Sequence, residues 1–188
     1  MSDASGMGGG AGIPVEVYVE QYDVARIQII EAEKGDSLAK AAQLIREYGE
    51  SIADVAACSL EHQRFDEEVA SLPGKFAGPR GKLLIAEVEG TEAGCIALRP
   101  LDELGPRVCE MKRMYVRAEY RGMGIGRLLV QRLLDEARAA GYEVMKLDTD
   151  THEKFAAAIA LYRSVGFTQC SRYNDDPDPR TLWFERLL

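Results

Sequence analysis

Two hydrophobic periods alternate along the chain and predict its helices and strands. Apolar residues three and four apart predict helices over residues 38–48, 60–72, 126–140 and 155–165. Apolar and β-branched runs predict strands over residues 24–31, 82–89, 93–99, 108–116, 144–149, 167–173 and 182–187. Pro73-Gly74 and Gly141 support these limits, because glycine and proline end helices.

The order of these elements predicts one α/β domain. It runs strand, two helices, three strands, helix, strand, helix, two strands, which indicates a mixed sheet with helices on both faces. No repeat or linker interrupts residues 13–188, so we predict a single domain there. Residues 1–12 are glycine-rich and have nothing to bury, so they are predicted to form a disordered tail.

Composition narrows the classes of function. The chain has 188 residues with 46% hydrophobic and 29% charged content, which is typical of a soluble globular protein. Its net charge of −8 argues against nucleic acid as a partner and would suit a cationic amine substrate. No apolar stretch has the length of a membrane span, and no export signal is seen, so we expect a cytoplasmic protein without membrane partners. The cysteines and histidines are scattered, so no metal site is expected; they are Cys58, Cys95, Cys109, Cys170, His62 and His152.

A glycine-rich stretch after the strand over residues 108–116 has the features of an anion site. It reads Arg121-Gly-Met-Gly-Ile-Gly126 and leads directly into a predicted helix. Backbone N–H groups at the start of a helix bind phosphate well. The spacing is neither the G-x-G-x-x-G of dinucleotide folds nor a Walker A loop. A plain glycine-rich strand-to-helix turn is the alternative.

A second motif lies downstream, where Ala158-Ile-Ala-Leu-Tyr-Arg-Ser-Val-Gly-Phe167 follows one further predicted strand. The two motifs together resemble the GNAT-type N-acetyltransferases, whose signatures are R/Q-x-x-G-x-G/A and A-x-x-L-Y-x-x-x-G-F. The likeness is sharpest over residues 110–167. It implies the acyl-CoA N-acyltransferase fold, with a mostly antiparallel central sheet, and acetyl transfer from acetyl-CoA to an amine.

The resemblance also implies which residues bind acetyl-CoA. The glycine loop would hold the pyrophosphate, through Arg121, Gly122, Met123, Gly124, Ile125, Gly126 and Arg127. Backbone groups of Met114, Tyr115 and Val116 would pair with the pantetheine arm as an added strand. That pairing requires the strand to part from the strand over residues 144–149, and a bulge near Arg113-Met114 would achieve this. Phe155 stands where the family often has Asn, so no role of that Asn is transferred.

Tyr162 matches the tyrosine that the family places near the thioester sulfur. A phenol there could donate a proton to the leaving thiolate. Phe155, Ile159 and Tyr162 share one helical face, however, so Tyr162 also fits a simple core position.

Glu110 is the candidate base. Strand alternation would put Val108, Glu110, Lys112, Met114 and Val116 on one face, and charges in such an apolar row suit a polar cleft wall. A structural ion pair, with Lys112 or at an edge, is the alternative. His152 could serve as the base instead, although a histidine in a surface loop is the simpler interpretation.

The sequence leaves the acceptor open. It would be a primary amine on a small molecule, peptide or protein, framed by residues 60–72 and by the loop Tyr173-Asn-Asp-Asp-Pro177, which resembles a loop of some bacterial members. That loop equally fits a solvated turn. The alternatives are a CoA-sensing regulatory module without turnover and a phosphopeptide-binding domain, which the acidic charge disfavours. A homodimer remains open.

Overall fold

The computed structural model describes residues 26–188, apart from the side chains of residues 58 and 62. The strands are β1 Ile27–Glu31, β2 Lys82–Val88, β3 Thr91–Pro100, β4 Val108–Val116, β5 Val144–Asp150, β6 Thr168–Gln169 and β7 Thr181–Leu187. The helices are α1 Gly35–His62, α2 Phe65–Ala70, α3 Ile125–Ala139 and α4 Ala156–Ser164. The predicted tail, residues 1–12, lies outside the described residues.

The strands form one seven-stranded sheet in the order β1-β2-β3-β4-β5-β7-β6. Every neighbouring pair is antiparallel except β4 and β5, which run parallel. A parallel pair needs a long crossover, and α3 supplies it. The predicted mixed α/β fold with a mostly antiparallel sheet is confirmed.

Apolar side chains cover both faces of the sheet. On one face, Leu129 and Leu133 of α3 are fully buried in a cluster that includes Ile96 and Met111. On the other face, Leu44 and Ile45 of α1 are fully buried in a second cluster. Removing a side chain such as Leu133 from contact with water contributes about 1.5–3 kcal/mol. The two faces therefore hold α3 and α1 firmly on opposite sides of β4.

The first two predicted helices had the wrong limits. The first helix does not end at residue 48. In the structure α1 has 28 residues in all and continues through Gly49, with non-helical backbone angles at Ala56. A Cβ at Gly49 would lie 2.6 Å from the Phe65 ring, so this glycine permits close packing of α2 and does not end the helix. The predicted second helix is the end of α1 followed by the six residues of α2, which start after Arg64 in the left-handed region.

Two further observations concern the strand β6 and the character of the helices. The predicted strand over residues 167–173 is reduced to the two residues of β6, because the chain then leaves the sheet for the loop that precedes β7. Among residues 26–188, no helix is both long and apolar enough to cross a membrane.

Candidate active site

The sheet opens between β4 and β5. Their parallel pairing covers only Val108–Val144, Cys109–Met145 and Glu110–Lys146. Beyond Glu110, β4 continues to Val116 while it pairs only with β3 in the described sheet. Strand edges that lack a neighbour present N–H and C=O groups to a ligand. The predicted separation of these two strands is therefore present, and it leaves Met114–Val116 open on the β5 side.

A bulge in β4 accompanies this opening. Arg113 has φ of +57°, in the left-handed region that a residue with a side chain rarely adopts. The register with β3 shifts there, since Ala97 pairs with Lys112 whereas Cys95 pairs with Tyr115. The expected bulge near Arg113-Met114 is confirmed.

The bulge also corrects a prediction about side-chain direction. Simple alternation placed Glu110, Lys112, Met114 and Val116 on one face. In the structure Met114 and Val116 pack with the cluster under α3, whereas Tyr115 packs with the cluster under α1. The extra residue reverses the alternation, because the side-chain period of a strand is two.

A cleft lies in the opening, between α1, β4, β5 and α4. Its lining includes Tyr48, Gln63, Arg113, Met114, Asp148 and Tyr162. A polar recess adjoins the cleft and shares Gln63, Lys112, Asp148 and Asp176 with it, while Glu110 lines only the recess. The structure therefore places the two candidate catalytic residues in adjoining spaces.

The glycine loop connects β4 with α3. Gly122 and Gly124 have φ of +83° and +79°, and Gly124 is the N-cap of α3. A Cβ at either position would meet nothing within 4 Å, so space for a ligand lies directly over this backbone. Gly126 differs, since its Cβ would lie 3.2 Å from Leu161 of α4, which indicates a packing role. Open space over a helix N-terminus fits a pyrophosphate.

The arginines of this loop have contacts of their own. The Arg121 Nε donates to the Val116 carbonyl oxygen at 3.1 Å, and Arg127 Nη2 donates to the Ser164 hydroxyl at 2.8 Å. These contacts tie the loop to the end of β4 and to α4. Both side chains are otherwise exposed to solvent, where a phosphate could approach them.

Tyr162 is 7% exposed and lines the cleft. Its ring meets Phe167 edge-on, with the centroids 6.1 Å apart. Burial raises the pKa of the Tyr162 phenol. The side chain is thus both part of the core and in contact with the cleft, and its hydroxyl stays protonated at neutral pH.

Glu110 is completely buried. Its Oε2 accepts from Arg99 Nε at 2.6 Å, and its Oε1 accepts from the Tyr173 hydroxyl at 2.8 Å. The Lys112 ammonium lies farther away, at 3.9 Å. Burial and the Glu110 carboxylate raise the pKa of the Tyr173 phenol. Glu110 therefore belongs to a paired network at the inner end of the recess, where Arg99 is the main ion-pair partner.

His152 and Phe155 lie near the start of α4. His152 Nδ1 accepts from the Lys154 backbone N–H at 3.3 Å, and its side chain is not part of the cleft lining. Phe155 is the N-cap of α4 and does line the cleft, so it contributes an apolar ring where the family often has an amide.

Comparison with known proteins identifies the family. The profile of the Acetyltransferase (GNAT) family matches residues 47–167. This chain belongs to the GNAT family. The resemblance inferred from the two motifs is confirmed, and the protein is an acyltransferase of the acetyl-CoA-dependent type.

Individual relatives agree with this assignment. An uncharacterised N-acetyltransferase of Schizosaccharomyces pombe is 40% identical over 126 residues, which cover 66% of this chain and 74% of that protein. An IAA acetyltransferase of Azospirillum brasilense is 40% identical over 114 residues, covering 60% and 72% respectively. The crystal structure of an acetyltransferase from Streptococcus agalactiae superposes with a TM-score of 0.68 at 25% identity, covering 87% of this chain and 99% of that one.

The structure of this GNAT protein adds a buried ion pair that the sequence did not reveal. Lys112 Nζ donates to Asp148 Oδ1 at 2.9 Å, and Asn174 Nδ2 donates to Asp148 Oδ2 at 2.7 Å. Burial alone would raise the pKa of Asp148, but the Lys112 ammonium and the Asn174 amide hold that pKa below its usual value. The sequence signals for this pair were Lys112, a charge in the apolar row of β4, and Asp148, a polar residue in β5.

The loop before β7 is fastened to α1 by Asp176, which is 5% exposed. Its Oδ1 accepts from the Ser59 hydroxyl at 2.9 Å and from the Thr181 hydroxyl at 3.1 Å. Its Oδ2 accepts from Gln63 Nε2 at 3.3 Å. This contact places the loop beside the end of α1, and the framing of the acceptor by residues 60–72 and this loop stays a prediction.

Proposed function

We propose that the protein is an N-acetyltransferase that transfers the acetyl group of acetyl-CoA to a primary amine of a small molecule or peptide. The observation that carries the proposal is the opening between β4 and β5, which lies beside a glycine loop at the N-terminus of α3. An open strand edge and a helix N-terminus offer complementary binding to an extended arm and to its phosphates.

In this proposal the donor lies along the opening. The backbone N–H groups of the loop Arg121–Arg127 hold the pyrophosphate, with the open space above Gly122 and Gly124 admitting it. Backbone groups of Met114–Val116 pair with the pantetheine arm. Acetyl-CoA supplies the acetyl group as a reactive thioester. Tyr162 and Met114 line the same cleft, so an arm bound along β4 brings the thioester towards the phenol.

Tyr162 acts as the acid. When the amine nitrogen forms its bond to the acetyl carbon, the carbon–sulfur bond breaks and its electron pair passes to sulfur as a thiolate. The phenol donates its proton to that thiolate and is protonated again by solvent. Its raised pKa means that the phenol carries its proton at neutral pH.

Glu110 acts as the base that takes the proton of the acceptor amine. Both of its oxygens already accept hydrogen bonds, and it lines the recess rather than the cleft. The proton therefore travels through the recess, by way of water or of the polar groups that the recess shares with the cleft. A direct contact between the amine and Glu110 is not required.

Release of free CoA thiol from acetyl-CoA, measured with a panel of primary amines and confirmed by the mass of the acetylated product, tests this function. We expect release that depends on an amine. A protein that binds CoA in calorimetry but acetylates no amine would instead be a regulatory CoA-binding module.

A further inference from the structure

A second group of charged side chains borders the cleft, on the side of α2. Arg113 has a side chain only 3% exposed, and its Nε donates to Glu68 Oε1 at 2.6 Å. Its guanidinium also lies over the Phe65 ring, 4.9 Å from the centroid. Lys75 Nζ lies 2.5 Å from the other oxygen of Glu68. The left-handed backbone of the bulge holds Arg113 in this position.

Two polar atoms of the cleft lining have no hydrogen-bond partner among the described residues. One is Nη2 of Arg113, a charged donor, and the other is Oε1 of Gln63, an acceptor. The Gln63 amide has a defined orientation, because its Nε2 donates to the Asp176 carboxylate. Leaving a buried polar group unpaired costs about 1–3 kcal/mol, and more when it is charged. Both atoms are therefore available to a ligand in the cleft.

The Arg113 guanidinium is the group that favours an anionic ligand. Its carboxylate partner, Glu68, is shared with Lys75, while the carboxylates of the cleft lining are those of Asp148, Asp150 and Asp176. A guanidinium with a free N–H matches a carboxylate oxygen well.

Arg113 is also placed close to the transfer chemistry, given the proposed function. It directly precedes Met114, the first residue of the strand segment assigned to the pantetheine arm, and it lines the same cleft as Tyr162. The simplest acceptor that contacts Arg113 and also presents a nitrogen to the thioester is a short molecule that carries a carboxylate and an amine. An α-amino acid is such a molecule.

We infer that the acceptor of this acetyltransferase is a free α-amino acid, whose carboxylate accepts a hydrogen bond from Arg113 Nη2 while its amine donates to Gln63 Oε1. This inference rests on the proposed function and specifies its substrate. Arg113 and Gln63 would then determine which acceptor is bound. Neither the glycine-rich loop nor the motif over residues 158–167 indicates this role.

The test compares acceptors that differ only in the carboxylate: alanine with ethylamine, leucine with isoamylamine, and phenylalanine with phenethylamine. Thiol release is measured at one pH, and kcat/KM is expressed per unprotonated amine, since the two members of each pair titrate differently. For the wild type we expect each amino acid to be favoured by about ten-fold or more, the usual worth of a charged hydrogen bond. Equal values within the pairs would overturn the inference, with no variant needed.

Variants assign the effect to the two side chains. Arg113→Lys keeps a cation beside Glu68 and loses the forked donor, so we expect KM for alanine to rise about ten-fold and KM for ethylamine to change little. Gln63→Met should raise KM for both, because the amine is common to them. Arg80→Lys is the matched control, since Arg80 forms an ion pair with Asp102 outside the cleft. Thermal unfolding of each variant confirms that it is folded.

Two further outcomes separate the possible failures. If kcat/KM for alaninamide equals that for alanine, and both exceed the value for ethylamine, a neutral carbonyl is sufficient. The acceptor would then be the amino terminus of a peptide. Preference for amines without a carboxylate would refute the amino acid alone and leave N-acetylation intact. Absence of transfer to every amine would refute the proposed function, and this inference with it.

Discussion

The change Gly124→Ala tests whether the glycine loop binds the phosphates of CoA. Gly124 has φ of +79°, and an added Cβ would meet no protein atom within 4 Å. The methyl group therefore has two separable effects. It strains the backbone, and it occupies the space where a phosphate would lie.

A second glycine isolates the strain. Gly141, just after α3, has φ of +82° and equally open surroundings, but it lies at the opposite end of the helix. A left-handed residue with a side chain costs about 1–2 kcal/mol. Each 1 kcal/mol lowers Tm by about 2–4 °C in a protein of this size, so Gly124→Ala and Gly141→Ala should each lose about 2–8 °C.

Only Gly124→Ala should weaken CoA binding. Loss of one backbone hydrogen bond to a charged phosphate costs about 1.5–3 kcal/mol, which raises Kd by about ten- to hundred-fold. Calorimetry of both variants with CoA, together with thermal unfolding in its absence, measures the two effects. If both variants lose the same stability and bind CoA as tightly as the wild type, the pyrophosphate does not lie on this loop.

Three further predictions concern the catalytic residues and the buried ion pair. Tyr162→Phe keeps the packing with Phe167 and should lower kcat about ten-fold or more, with little change in CoA affinity. An unchanged single-turnover rate would show that Tyr162 is only a core residue. Glu110→Gln should slow transfer most at low pH, where the amine is mainly protonated. If the pH–rate profiles of wild type and variant superimpose, Glu110 serves only as a structural partner of Arg99. Asp148 has a lowered pKa when folded, so its contribution to stability is present above its ordinary pKa of about 4 and is lost as the pH falls. Asp148→Asn should therefore cost about 3–5 kcal/mol at pH 7, because the buried Lys112 ammonium keeps only the more distant Glu110 carboxylate, at 3.9 Å. It should also flatten the acid limb of a urea-unfolding series, and an unaltered acid limb would contradict this.

Much of this protein follows from local sequence. Gly122 and Gly124 permit the left-handed backbone of the loop, and the apolar spacing after them predicts an amphipathic helix, so the loop and α3 were predicted within a residue or two. The hairpin of β2 and β3 and the strands β4, β5 and β7 have patterns of the same local kind. These features depend on neighbours along the chain, and the two motifs that carry the family resemblance belong to them.

The contacts of the site were decided by tertiary structure. The predicted helix over residues 38–48 continues through Gly49 in the structure, where the absence of a side chain lets Phe65 pack against α1. The bulge at Arg113 reversed the faces of Met114 and Val116, since one extra residue shifts a period of two. Glu110 pairs with Arg99 and Tyr173, at separations of 11 and 63 residues, because sheet register and the loop before β7 bring them together. A linear pattern records which residues are polar, but the partner of each buried charge depends on which elements pack beside it.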